Sequence, residues 1–199
     1  MNFMGFEIIE IGPDQIRLYA SIPIVFEVET VFQVEPINDG LGGFALIETR
    51  VSKPYIKNYD AYEDGGPERW LKRFNVANWG FFLIKDKDTA IGGAAIAHNS
   101  PDVQMLDSRD DLAVLWDIRI HPDFRRRKVG TMLFNHAVSW ARQRNCRQLK
   151  IETQNVNVPA CKFYNKLGCH LGVVHRYGYQ NCPEVAGEVM LIWYYDIGK

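Results

Sequence analysis

The chain has 199 residues, 47% of them hydrophobic, enough to bury a sizeable core in a single compact domain spanning residues 1–199. Its 23 Lys and Arg are balanced by 24 Asp and Glu, which argues against a nucleic-acid partner. No apolar run approaches the ~20 residues that span a bilayer, and the first residues, MNFMGFEIIEIG, lack the basic and apolar regions of a signal peptide. A cytoplasmic protein with no membrane partner is expected.

In chain order, Phe6 to Ile11 reads as a strand, Pro13 to Tyr19 as a short helix and Val25 to Val34 as an alternating strand. Residues 48–74 mix charge and aromatics without one period, and predict a strand end, a loop and a short helix from Pro67 to Phe74. Gly80 to Ile84 and Thr89 to Ala97, joined by the turn-like Lys85 to Asp88, predict an antiparallel hairpin. A loop from Asn99 to Asp111 leads to Leu112 to Ile120, a nearly all-apolar run that fits a buried central strand.

Beyond Pro122, Val129, Met132, Leu133, Ala137, Trp140 and Ala141 recur at helical steps, with Asn135, Arg142, Gln143 and Arg144 on the water side. That helix should stop near Asn145, which tolerates left-handed dihedrals. Leu149 to Thr153 is a further strand. Asn157 to Leu167 is a second helix, with Asn157 as N-cap, Pro159 in the first turn and Gly168 at its end. Cys169 to Val174 and Glu188 to Tyr195 supply two last strands. The order predicts an α/β or α+β layer around a mixed sheet of about six to seven strands flanked by helices.

Cys146, Cys161, Cys169 and Cys182 show no C-x-x-C spacing. The histidines, His98, His121, His136, His170 and His175, form no i, i+4 pair, so no metal is expected and the thiols are read as reduced and mostly packed.

The most informative stretch is Ile118 to Leu133, where the apolar strand ends, a basic loop follows and the long helix opens. A helix start leaves backbone N–H groups without intrahelical acceptors and carries the positive end of the macrodipole, so it suits phosphate. Arg125, Arg126, Arg127 and Lys128 add charge there, and Gly130 permits close approach. The loop would lie at the carboxyl end of its strand, where open sheets place ligands. The bland alternative is that the four basic residues form a solvated face.

These residues resemble the acyl-CoA loop of the GNAT acetyltransferases, a pattern of Arg or Gln, two residues, Gly, one residue, Gly. Arg125, Lys128 and Gly130 occupy those positions, with Lys128 in place of the first Gly. A companion segment matches at Asn157, Ala160, Tyr164 and Gly168, and Asn157 and Tyr164 stand two helical turns apart on one face. This general resemblance covers roughly residues 80–175, leaving 1–79 as the substrate-side part and 176–199 as a C-terminal strand region. A closer resemblance is to the streptothricin acetyltransferases, through Val51 to Tyr55, Glu152 to Gln154, Asn157 to Cys161, Glu188 and Trp193 to Tyr195.

The resemblance implies the GNAT fold, acetyl-CoA as co-substrate and transfer of its acetyl group to a primary amine of a small molecule, streptothricin or a similar cation, with antibiotic resistance as the outcome. Arg125, Arg126, Arg127, Lys128, Val129, Gly130 and Thr131 would hold the pyrophosphate, and the backbone of Ile118, Arg119 and Ile120 would hold the pantetheine arm and thioester. Asn157 and Ala160 would serve the same arm. Tyr164 would be the general acid and also a cofactor contact; its alternative is a buried helix aromatic. Glu152 is the first candidate for the base and Asp117 the second, since a carboxylate in an apolar strand is costly unless partnered or functional. Each is equally readable as a structural hydrogen-bond acceptor, and Asn157 as an ordinary N-cap.

Asp60, Glu63, Asp64, Asp107, Asp110 and Asp111 would attract a polycation, with Tyr55, Tyr59 and Tyr62 as packing faces, or would form a solvated acidic surface. The open alternatives are a GNAT acetyltransferase for another metabolite or protein amine, and an acyl-CoA-binding module without catalysis. Oligomeric state, a homodimer included, is not fixed by the sequence.

Overall fold

The computed structural model describes residues 5–62 and 65–198. The described elements are β1 (Phe6–Ile11), α1 (Ile16–Ala20), β2 (Val25–Pro36), β3 (Phe44–Asn58), α2 (Pro67–Arg73), β4 (Gly80–Asp86), β5 (Thr89–His98), β6 (Leu112–Ile120), α3 (Val129–Gln143), β7 (Gln148–Gln154), α4 (Val158–Lys166), β8 (His170–His175) and β9 (Met190–Asp196). Seven strands form a mixed sheet in the order β1-β4-β5-β6-β7-β9-β8, and β2 pairs with β3 in a second sheet. The mixed-sheet α/β class expected from the sequence is the one observed.

By contact density the chain separates into two units. One is Asn58–Lys150 with the chain up to Ile24 and from Asp196 onward; the other is Val25–Lys57 with Ile151–Tyr195.

In the first unit, β1, β4, β5 and β6 are antiparallel neighbours. Period-two burial sends Phe81, Leu83, Ala95, Ala97, Leu112 and Val114 into one cluster with Tyr19, Trp70 and Trp79. Helix α3 packs on β4, β5 and β6 and buries Val129, Leu133, Ala137, Trp140 and Ala141, as its period predicts, together with Phe134 and Val138. Asn145 follows at φ 61°, so the helix stops where a left-handed residue was expected. A Cβ on Gly93 would stand 2.6 Å from the Tyr19 ring and 3.0 Å from the Phe82 carbonyl oxygen, so only glycine lets α1 approach β5 this closely.

β6 carries one residue more than its partner. Ala95 pairs with Asp117 and Ile96 with Leu115, which leaves Trp116 as a bulge. Its ring is held edge-on to Phe74 at 5.0 Å and tilted against Trp79 at 5.3 Å.

In the second unit β8 and β9 are antiparallel, with a register shift between Leu171 and Val173 that leaves Gly172 extra. Asn155 stitches the unit together. Its amide and side-chain oxygen bond both backbone groups of Val189 at 2.9 and 2.8 Å, while its carbonyl and side-chain nitrogen bond Phe32 at 2.9 Å each. Buried Trp193 donates to Thr153 Oγ1 at 2.9 Å. Lys57, 3% exposed, pairs with Glu188.

β3 corrects the sequence reading, which expected only a strand end before a loop. It runs 15 residues, through Pro54, with little alternation in burial, so no hydrophobic period marks it. Proline is tolerated because a two-stranded sheet leaves each strand one unpaired edge. β9 starts at Met190 rather than Glu188, and the loop before β6 holds a short 3-10 turn at Gln104–Leu106.

Among the described residues no helix is long and apolar enough to cross a membrane, and no three His, Cys, Asp or Glu side chains are grouped to hold a metal. The four cysteines are free; Cys146, Cys161 and Cys169 are buried and Cys182 is exposed. Burial pushes the thiols of Cys146 and Cys161 up to about 11 and that of Cys169 to about 12, so at pH 8 they hold almost no thiolate. An alkylating reagent at pH 8 should therefore modify one cysteine rapidly in the native protein and all four in denaturant. Rapid native modification of two or more, counted by mass spectrometry, would contradict this packing.

Candidate active site

The first group of predicted site residues lies on a continuous strand, turn and helix. β6 ends at Ile120, His121 to Phe124 make a 3-10 turn, and Arg125, Arg126, Arg127 and Lys128 follow, all exposed, before Val129 is buried under α3. Arg127 lies over the Phe124 ring at 5.1 Å, and Arg125 Nε reaches the Ile120 carbonyl at 3.4 Å. Stem packing thus orders part of the basic loop while its charges face water.

The helix end is electropositive and uncapped. Lys128 is the N-cap, its side chain makes no capping hydrogen bond, and no acidic residue stands in the first turn. The first intrahelical bond comes from Met132 N to Lys128 O at 3.0 Å. The amides of Val129, Gly130 and Thr131 therefore have no acceptor within the helix, a donor set suited to a phosphate oxygen.

Within β6, Arg119 is 2% exposed and its guanidinium is fully committed. Nε and Nη2 donate to Asp117 at 2.9 Å each, Nη1 and Nη2 donate to Asp60 at 2.8 and 3.1 Å, and Nη1 also donates to the Ile22 carbonyl at 3.1 Å. Tyr19 OH donates to Asp117 Oδ1 at 2.5 Å. Burial and then the Asp117 charge hold the Tyr19 phenol well above its ordinary value, so it stays a neutral donor. Burial works against the charge on Arg119, but the Asp117 and Asp60 carboxylates outweigh it and the net direction is upward. Asp117, the second candidate base, is thus anchored through both oxygens.

In the second unit Glu152 leaves β7 half-buried and its Oε1 accepts from Tyr179 OH at 2.6 Å, while Tyr179 accepts from Gln154 Nε2 at 3.0 Å. Asn157 caps α4, its Oδ1 accepting from Ala160 N at 3.2 Å, so the Ala160 amide is engaged in the cap. Tyr164 is buried on α4 with Val158 and Cys161.

The predicted site residues thus fall into two groups. Asp117, Ile118, Arg119, Ile120 and Arg125–Thr131 are consecutive along one strand, turn and helix of the first unit; Glu152, Asn157, Ala160 and Tyr164 share the β7–α4 segment of the second. Sequence reasoning missed Tyr19, Gln154 and Tyr179. Tyr179 lies in a turn-rich stretch between β8 and β9 without any period, and no signal marks it. Several of the acidic residues expected to attract a polycation are engaged internally: Asp60 by Arg119, Asp107 by Lys150 at 2.8 and 3.0 Å, and Asp111 by Arg109 at 2.8 Å. Glu63 and Asp64 lie outside the described residues.

The model of the Acetyltransferase (GNAT) family matches residues 47–169. The chain belongs to the GNAT acetyltransferase family. Among curated relatives, it is 31% identical over 154 residues to streptothricin acetyltransferase A of Bacillus subtilis (strain 168), covering 77% of this chain and 80% of that one. It is 28% identical over 191 residues to the streptothricin acetyltransferase of Escherichia coli, covering 96% of each. Its fold is shared with the crystal structure of nourseothricin acetyltransferase, with a TM-score of 0.76, 22% identity and coverage of 98% and 99%. The Bacillus anthracis str. Ames acetyltransferase solved in complex with acetyl coenzyme A gives a TM-score of 0.75, 24% identity and the same coverage.

The basic loop carries a local strain. Lys128, where the acyl-CoA loop pattern has its first Gly, sits at φ 64°, and Arg126 at φ 63°. A non-glycine residue there costs about 1 kcal/mol, which glycine avoids while losing part of the gain through its freer unfolded chain. Lys128→Gly should leave unfolding stability unchanged or raise it by up to about 1 kcal/mol in urea titration. A clear loss would show that the lysine side chain makes a stabilising contact that outweighs the strain.

Proposed function

We propose that this GNAT enzyme is an N-acetyltransferase that moves the acetyl group of acetyl-CoA to a primary amine of a cationic small molecule of the streptothricin type, and so inactivates it in the cytoplasm. The observation that carries the reading is the uncapped start of α3, with exposed Arg125–Lys128 and no acidic residue in the first turn, directly after the bulged strand β6. It suits the CoA pyrophosphate. The backbone of Ile118, Arg119 and Ile120 would take the pantetheine arm and thioester, with Asn157 contributing on α4.

The amine nitrogen attacks the thioester carbonyl carbon, a C–N bond forms, the C–S bond breaks and CoA leaves as thiolate. Glu152 takes the proton released by the amine, directly or through water, and Tyr164 gives one to the sulfur. Glu152 is preferred to Asp117 because both oxygens of Asp117 are bound by Arg119 and Tyr19. Streptothricin as acceptor is supported by relatives of that name at 31% and 28% identity. Tyr55, Tyr59 and Tyr62 are assigned as its packing faces.

Mixing the protein with acetyl-CoA and a panel of amines should release CoA thiol with streptothricin. Release only with another amine would keep the chemistry and change the acceptor, whereas CoA binding without release across the panel would favour an acyl-CoA sensor. Tyr164→Phe should lower kcat by roughly 10²- to 10⁴-fold with acetyl-CoA affinity within twofold; unchanged turnover removes Tyr164 from the acid role.

Glu152→Gln removes the proton acceptor, so the reaction then depends on amine that is already neutral. Because amine deprotonation rises with pH, the acidic limb of kcat/KM should move upward toward the amine's own pKa. An unaltered profile would move the base role to Asp117 or water.

A further inference from the structure

We propose that Arg119 is a positioning residue: one buried guanidinium clasps the turn Tyr59–Ala61 to the bulge of β6, and this clasp sets how the acceptor amine is received. The inference rests on the acetyl-transfer reading given above.

Each of the five guanidinium N–H groups has an acceptor in this cluster, drawn from three separate places: Asp117 on β6, Asp60 in the turn after β3, and the carbonyl of Ile22 after α1. Its face lies 5.0 Å from the Tyr19 ring and 5.9 Å from that of Trp70. Rotation of such a group would break several bonds at once, so it fixes the elements it joins. Asp117 directly follows the bulge residue Trp116 and precedes Ile118–Ile120, the backbone assigned to the thioester.

The other end of the clasp is the turn. Asp60 accepts from Arg119 through both oxygens, its own amide donates to Asn58 Oδ1 at 3.1 Å, and its side chain is 26% exposed. It is flanked by Tyr59 and Tyr62, whose rings stand 6.4 Å apart. These are two of the aromatic faces assigned to the acceptor. Asp60 is therefore not a free anion awaiting a polycation; it is the anchor that holds the two rings in place. A lysine at position 119 would keep the charge but lose the fork, since three donors on one nitrogen cannot serve two carboxylates and a carbonyl in this geometry.

The test uses Asp60→Ala in the full chain, with Arg119→Lys as the second variant in case either fails to fold. Steady-state kinetics should show the streptothricin KM raised at least about 10-fold in both variants, with the acetyl-CoA KM within twofold in Asp60→Ala. A merely structural role would reduce the folded fraction and leave both KM values unchanged; that result, or both rising together, overturns the proposal. Amide hydrogen exchange supplies a readout without turnover: peptides covering Tyr59–Tyr62 should exchange at least about 10-fold faster in Asp60→Ala, while α3 is unchanged. Unchanged exchange overturns the clasp. Faster exchange in a protein that acetylates no amine would leave the clasp standing and sink the acetyl-transfer reading instead.

Discussion

Burying a guanidinium is among the more expensive things a fold can do, because the ion surrenders its hydration. Arg119 is 2% exposed, and its charge is met by two carboxylates and a carbonyl that converge on it. That convergence constrains the first unit: α1 must present Tyr19 and the residues just after it Ile22, the turn after β3 must present Asp60, and β6 must present Asp117 beside its bulge. Tyr19 reaches its place only because Gly93 has no side chain to block its ring. Removing one partner would leave the others as unpaired buried polar groups, so the cluster behaves as a unit.

The bulge links this interior to the surface chemistry. Trp116 is turned onto Phe74 and Trp79, and the strand continues through Ile120 into a loop whose basic residues are all exposed. Among the described residues, neither the N-cap side chain nor an acidic residue of the first turn serves the opening of α3, and two left-handed residues, Arg126 and Lys128, shape the loop. The arrangement stores backbone strain in an exposed loop.

The second unit supplies polar side chains of another kind. Glu152, Tyr179 and Gln154 form a short hydrogen-bonded chain, and Asn155 binds Phe32 and Val189 through both backbone and side chain. Glu48, exposed on β3, is held below the usual carboxylate range by Lys162 and then Thr30, a surface pair that salt would screen.

Sequence alone determined the elements with a strong period or clear punctuation. α3 came from hydrophobic spacing, β6 from its apolar run, the β4–β5 hairpin from its turn, and α4 from its Asn cap and terminal Gly. The strand, basic turn and helix of Ile118–Leu133 were legible for the same reason: charge, proline and helix onset are neighbours in the chain. β3 was not, because its residues share no burial period. Nor were the partners of Arg119 and Glu152, which lie as far as 97 and 27 positions away. Local spacing encodes local backbone; only the tertiary fold decided that Asp60 anchors a turn, that Asp117 is bound on both oxygens and that Tyr179 touches Glu152, since long-range hydrogen bonds leave no periodic trace.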